Sequence, residues 1–233
     1  MRALAAGRHV LCEKPYTRRP ERVDEAHARA AERGLVLAEA YMWHSSQTRL
    51  LGELLPHVGT IAAVRAAFCG VLPRVGDVRF VSELGGGALL DLGCYCVSAA
   101  RLVAGAEPTR VFGEATTGRG GIDERFAGTV RFGDLVATFQ CGFTARANQI
   151  EVYGSDGVLF VPEAFANAPG VVVLNGREHR VEPGNAYRDE LDDFCAAVRG
   201  GRPPLLGRDD MLGQARVLDA LLRSAEARKP VDL

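Results

Sequence analysis

The chain has 233 residues, 47% of them hydrophobic and 24% charged, with a formal net charge of −1. That is the composition of a globular protein with a sizeable core. It leaves no global field to draw nucleic acid or an anionic membrane.

The opening "RALAA" reads as the last turn of a helix, with Gly7 in the left-handed position that ends it. "HVLCE" follows as a short apolar strand. Pro20 suits a first helical position, and Glu21, Asp24 and Glu25 suit the positive end of a helix. The helix "PERVDEAHARAAER" is expected to stop at Gly34. "LVLAEAYMW" is a second apolar strand. Two apolar strands joined by a helix predict a βαβ crossover with the strands parallel.

After Trp43 the texture changes. "SQTRLLGELLPH" reads as a short amphipathic helix and "IAAVRAAFCGVL" as a strand. "GGGALLDLGCYCVSAARLVAG" is a glycine run followed by an apolar-faced helix. From Thr109 to Val181 the strand signals crowd together: "RVFGEATT", "DERFAGTVRF", "LVATFQCGF", "QIEVYGSDGVLFV" and "GVVVLN". Connections such as "FGDL" and "GSDG" predict hairpins and a meander. "YRDELDDFCAAVRGG" and "GRDDMLGQARVLDALLRSAEARK" return to helix. The fold class expected is α+β: an α/β stub over residues 1–44, then an open, mostly antiparallel sheet domain over 45–233 with helices on one face.

No apolar run is read as a membrane span, and "MRALAAGRH" lacks the apolar stretch of a signal peptide. Six cysteines, Cys12, Cys69, Cys94, Cys96, Cys141 and Cys195, form no paired C-x-x-C, and the five histidines form no H-E-x-x-H. Reduced thiols in a cytoplasmic protein are expected, and no metal site. There is no G-x-S-x-G and no basic stripe, so hydrolase and nucleic-acid readings have little support.

Two stretches carry chemistry. Lys14 stands just past the carboxyl end of a parallel strand, where doubly wound sheets place their ligands. Pro15 biases it toward an extended conformation. Such a lysine can donate to a substrate hydroxyl or lower a neighbouring acid's pKa. From spacing alone, a surface lysine at a strand end is the stronger reading. Gly85 to Gly87 let backbone approach something closely. Asp91 and Tyr95, four residues apart, share one face of a helix. Either Asp91 stabilises the first turn and Tyr95 packs at the surface, or both line a pocket.

Taken in order, these stretches resemble the Gfo/Idh/MocA oxidoreductase family. "AGRHVLCEKP" is similar to the family's E-K-P motif and the segment leading into it. "EAYMWH" is similar to its W-R-ending strand, and "GGGALLDLGCYC" to its G-G-G…D-x-G segment. "NAYRDELDDFCAAVRGG" is similar to its Y-x-x-E-x-x-x-F helix. Tyr95 is like the tyrosine of the glucose–fructose oxidoreductase and dihydrodiol dehydrogenase branches. The resemblance implies a Rossmann domain that binds NAD(H) or NADP(H), an antiparallel sheet domain that holds substrate, and self-association through that sheet. It implies hydride transfer between nicotinamide and a sugar, polyol or diol carbon.

By the same resemblance, Lys14, Tyr95 and Asp91 are catalytic, with Tyr95 as acid/base and Asp91 as the orienting carboxylate. Glu13, Lys14, Pro15, Trp43 and His44 are expected on the cofactor side. Lys14, Asp91, Tyr95 and Tyr187 are expected on the substrate side. The branch favours NADP. The ammonium of Lys14 is expected to draw the phenol's pKa down from ~10. His44 stands where relatives carry Arg, and no G-x-G-x-x-G follows a strand. Met1 falls inside a helix. The chain is therefore expected to lack the family's first βαβαβ half. The alternative reading is an inactive module for sugar binding or oligomerisation.

Overall fold

The computed structural model describes residues 1–73, 76–118, 120–167, 170–182, 184–200 and 202–233. Gly201, the last residue of the predicted "YRDELDDFCAAVRGG" helix, lies outside them. The α/β part comprises α1 (Arg2–Ala5), β1 (Val10–Glu13), α2 (Pro20–Ala31) and β2 (Leu37–Ala40). Gly7 and Gly34 follow the two helices with φ of +70° and +62°, the left-handed turns that Gly adopts without a Cβ penalty. β1 and β2 pair in parallel, Val10 opposite Leu37 and Glu13 opposite Ala40. The strand predicted through Trp43 therefore stops at Ala40.

The remaining elements are α3 (Ser46–Leu54), β3 (Ile61–Cys69), α4 (Cys94–Ala104), β4 (Arg110–Thr117), β5 (Asp123–Phe132), β6 (Leu135–Gly142) and β7 (Ala147–Gly154). They continue with β8 (Val158–Pro162), β9 (Val171–Leu174), β10 (Arg177–Arg180), α5 (Ala186–Val198), α6 (Arg208–Ala227) and β11 (Val231–Asp232). Nine strands form one sheet in the order β10-β9-β8-β7-β3-β6-β5-β4-β11. It is not the simple meander predicted. β3 inserts between β6 and β7 and runs parallel to β6, while its other edge pairs antiparallel with β7. The β6–β7 connection, "FTAR" and its flanks, thus spans an intervening strand.

Period-two alternation sets the sheet's two faces. Along β5, Glu124, Phe126, Gly128, Val130 and Phe132 are buried while Arg125, Ala127, Thr129 and Arg131 are exposed. The buried face packs against α4 and the second half of α6, through Val97, Ala99, Ala100, Val103, Val217, Leu218 and Leu221. The other face carries Arg65, Thr138, Gln140, Gln149 and Glu151 around a shallow hollow of about 380 Å³.

α6 serves both parts. Its first half, Met211, Leu212 and Ala215, closes a second core with Leu4, Val23, Ala26, Ala30 and Leu37. Buried polar groups reinforce the junction. Arg101 on α4 pairs with Glu107 and, at 2.9 Å, with Asp210 on α6. Gln214 donates to the Cys94 carbonyl at 2.8 Å. The segment Ser82–Ala104 does reach the length and hydropathy of a membrane span, contrary to expectation, but 72% of its most apolar window is buried inside the fold, as in a core helix.

Candidate active site

The site forms where the carboxyl end of β1 meets the turn leading into α4. After Glu13 the chain makes the Lys14–Pro15 peptide, which is cis. Lys14 Nζ donates to the Asp91 backbone oxygen at 2.5 Å and to Asp91 Oδ1 at 3.0 Å. Arg79 Nε donates to the other carboxylate oxygen of Asp91 at 2.8 Å. One carboxylate is thus gripped by two cations from segments distant in sequence. The Lys14 ammonium also lies over the Tyr95 ring, 4.8 Å from its centroid, within cation–π range.

Asp91 and Tyr95 straddle a backbone irregularity that the four-residue spacing does not reveal. Leu89–Gly93 form a π-helical turn that runs into α4 at Cys94. Such turns insert an extra residue and shift the faces, often at functional sites. Asp123 fastens the start of the turn, accepting from Leu89 N–H at 2.6 Å. The glycine run is where backbone comes close, as expected. A Cβ on Gly86 would lie 2.5 Å from the Arg79 oxygen, and one on Gly87, whose φ is +127°, would lie 2.1 Å from Asp123 Oδ1.

The cleft holds about 420 Å³ and is lined by Glu13, Lys14, Pro15, Thr17, Arg18, Val78, Arg79, Leu84, Gly85, Gly86, Leu90 and Asp91. Next to Lys14 lies an aromatic cluster. Tyr95 makes edge contacts with Tyr41 at 4.9 Å and Phe68 at 5.2 Å, and packs on Phe165 at 5.5 Å. Tyr95 itself is 7% exposed. Among the described residues no protein group hydrogen-bonds its hydroxyl. Tyr187, half exposed, stands near enough to act on the phenol electrostatically.

The electrostatics overturn one expectation. The Tyr95 phenol is pushed up, not down: burial dominates, and Cys94, Tyr187 and Asp91 add to it. The Lys14 charge does not reverse this, because it lies over the ring and is already engaged by Asp91. Burial alone would lower the Lys14 pKa, but Cys94 and Asp91 outweigh it and the ammonium is held charged. Burial raises the Cys94 thiol to about 11.

The residues expected on the cofactor side divide. Glu13, Lys14 and Pro15 line the cleft. Trp43 and His44 do not. Trp43 is 2% exposed, donates from Nε1 to Ser98 Oγ at 3.1 Å and packs against Phe165. His44 lies beside it with its pKa lowered to about 4 by burial and by Arg101, so the ring is neutral. Arg79, Asp123 and Glu39 are the neighbours that sequence reading missed. One overlooked signal favours Lys14: of the 28 basic Lys and Arg residues, lysines are Lys14 and Lys229 alone. Where arginine is the rule, a lysine marks a position suited to a compact, tunable ammonium. Among the described residues no cluster of His, Cys, Asp or Glu could hold a metal ion, and all six cysteines are free.

The residues present fit the nicotinamide end of a dinucleotide. They form a cleft just beyond the carboxyl end of β1, lined by a charged lysine whose ammonium lies over the Tyr95 ring.

Residues 57–160 match the family model for the GFO/IDH/MocA C-terminal domain. The chain is 32% identical to D-xylose 1-dehydrogenase (NADP(+)) 2 of Haloferax volcanii, over 97% of this chain and 74% of the relative. It is 31% identical to trans-1,2-dihydrobenzene-1,2-diol dehydrogenase of Xenopus laevis, over 97% of this chain and 74% of the relative. Among solved structures, aldose-aldose oxidoreductase from Caulobacter crescentus, complexed with glycerol, superposes with a TM-score of 0.91 at 26% identity, covering all of this chain and 74% of that one. A 3-ketoreductase from Actinomadura kijaniata, in complex with NADP and TDP-benzene, superposes with a TM-score of 0.89 at 30% identity, covering 96% of this chain and 73% of that one. The chain belongs to the GFO/IDH/MocA family of oxidoreductases.

Proposed function

We propose that this protein transfers hydride between NAD(P) and a CH–OH or ketone carbon of a sugar, polyol or diol. The observation that carries the reading is that Lys14, which lines the cleft with Asp91, both donates to that carboxylate and lies over the Tyr95 ring. The named activities of the relatives, on xylose, on dihydrobenzene diol and on a dideoxy-sugar nucleotide, support the substrate class. A relative that is NADP(+)-dependent and a ketoreductase crystallised with NADP support NADP over NAD.

When bound, the nicotinamide supplies or accepts the hydride, and the protein supplies position and proton transfer. Tyr95 is the proton donor to the substrate oxygen in reduction and its acceptor in oxidation. With the phenol pushed up, its resting form is the acid, so reduction begins with the proton already in place. Lys14 stabilises negative charge building on that oxygen. Asp91 orients Lys14 by accepting two of its contacts through its backbone and side chain. Tyr187, which acts electrostatically on the Tyr95 phenol, is the further substrate-side residue. In this reading residues 1–44 supply Lys14 and residues 45–233 supply Asp91 and Tyr95. The convergence of these groups gives an inactive binding module no support.

Self-association through the uncovered sheet face and a cytoplasmic location, in keeping with six free thiols, complete the reading. The test is turnover of aldoses, ketoses and diols with NADPH and NADH. Turnover that Tyr95→Phe abolishes supports the proposal. Absence of turnover across that panel, with no dinucleotide binding by calorimetry, overturns it.

A further inference from the structure

Glu39 is an unexpected residue for its position. It lies in β2, all four residues of which are buried, and is itself 3% exposed among Leu37, Ala38 and Ala40. An apolar side chain would fill that site without desolvation cost. A carboxylate in such surroundings is expensive unless something there needs it.

What needs it is a backbone donor. The parallel ladder of β1 and β2 ends with Glu13 opposite Ala40. Two residues beyond Lys14, the Tyr16 N–H has no strand to bond. Glu39 Oε1 accepts from it at 2.5 Å, while Oε2 has no hydrogen-bond partner among the described residues. One buried carboxyl thus extends the strand pairing past the turn. Lys14 lies inside the loop so closed, between the last ladder pair and the Glu39 clamp. Lys14, Arg101 and Asp210 act on Glu39 electrostatically, and Cys12 faces it across the ladder.

We propose that Glu39 is a positioning residue for Lys14. Its carboxyl holds the Tyr16 N–H and so fixes the turn that aims the ammonium at Asp91 and Tyr95. The catalytic significance of this rests on the reading of Lys14 given above; the geometric claim does not.

The chain offers a direct probe, because Lys14 and Lys229 are its two lysines and Lys229 is exposed. Acetic anhydride labelling, read by mass spectrometry, reports both in one sample. In the wild type Lys14 reacts more slowly than Lys229. Glu39→Leu removes the acceptor and speeds Lys14 labelling about tenfold, the equivalent of one charge-assisted hydrogen bond, with Lys229 unchanged. Glu39→Gln keeps an oxygen acceptor and stays within about threefold of wild type. Unchanged Lys14 labelling in a folded Glu39→Leu protein overturns the proposal, as does Glu39→Gln labelling as fast as Glu39→Leu. If Glu39→Leu does not fold, hydrogen exchange of the Tyr16 amide in the wild type decides: protection matching the β1 amides supports the clamp, and free exchange overturns it. Turnover is measured on the same variants. Labelling that follows the prediction while kcat does not would retain the clamp and refute the catalytic reading of Lys14.

Discussion

Lys14 Nζ lies 4.8 Å from the centre of the Tyr95 ring, over its face, and makes no hydrogen bond to its hydroxyl. The lysine therefore does not act as the phenol's proton partner in the resting site. Its charge stands beside the place where a substrate oxygen would meet the phenol. Tyr95→Phe removes the proton and nothing else of the packing on Tyr41, Phe68 and Phe165. It is expected to lower kcat by roughly 10²- to 10⁴-fold with little change in KM, the usual range for a lost general acid. Because the phenol's pKa is raised, reduction should show no loss from Tyr95 ionisation up to ~pH 9, whereas oxidation should quicken as pH rises. Steady-state pH profiles in both directions check this.

The stretches that meet at this site were visible in the sequence, but spacing left their roles open and only the family resemblance joined them. "EKP" puts a lysine at a strand end, and "GGGALLDLGCYC" puts a carboxylate and a phenol at the head of a helix. What could not be read was contact between segments. Nothing in the spacing brings Arg79 to Asp91, Asp123 to Leu89 N–H or Glu39 to Tyr16 N–H, since tertiary packing sets those distances. The sheet shows the same limit. Strand positions follow from alternation, but alternation is blind to partners, so the parallel β3–β6 pair was hidden behind a hairpin pattern. β11, two residues long, is too short to carry a periodic signal. The resemblance implied Trp43 and His44 on the cofactor side; the chain turns after Ala40 and packs both beside Ser98.

Asp91 separates its two cations. Asp91→Asn keeps the shape but loses the charge that holds the Lys14 ammonium, against which burial then works unopposed from that side. kcat/KM should fall at least tenfold, with Lys14 acetylation at pH 8 faster than in the wild type. Arg79→Ala removes the more exposed partner of Asp91. Its effect on melting should stay within about 1 kcal/mol, as for other exposed ion pairs. Thermal melts and kinetics on the two variants compare them directly.

Stability should depend on pH in an unusual direction. Burial raises Glu39 to about 7, Glu190 to about 7 and Asp123 to about 6. Between the ordinary carboxyl range and these values, the folded chain binds more protons than the unfolded one. Their contribution is therefore fully present at low pH and is lost as pH rises through about 6 to 7. His44, lowered to about 4, opposes them, since its contribution is lost as pH falls from its ordinary value toward 4. Three carboxyls outweigh one imidazole, so the melting temperature should drop between pH 5 and pH 8. Glu39→Gln should flatten that drop by ~1–3 kcal/mol. Melts of both proteins across the range measure it, and an unchanged slope would contradict the upward shift of Glu39.

Gly87 joins the fold to the site. Its φ of +127° is one that residues with a Cβ rarely adopt, and an added Cβ would meet Asp123 Oδ1 at 2.1 Å. That oxygen belongs to the carboxyl that fastens Leu89 N–H at the head of the π-helical turn. Gly87→Ala must therefore either strain the backbone or displace Asp123, and displacing Asp123 frees the turn that carries Asp91. The expected cost is ~2–4 kcal/mol of stability, from strain at a special backbone conformation together with a lost buried hydrogen bond. Gly85→Ala is the comparison, because its φ of +77° is strained but nothing lies within contact of its added Cβ. It should cost about 1 kcal/mol, the backbone penalty without the clash. Chemical denaturation of the two variants separates strain from contact. If Gly87→Ala is no worse than Gly85→Ala, the Asp123 fastening does not hold the turn.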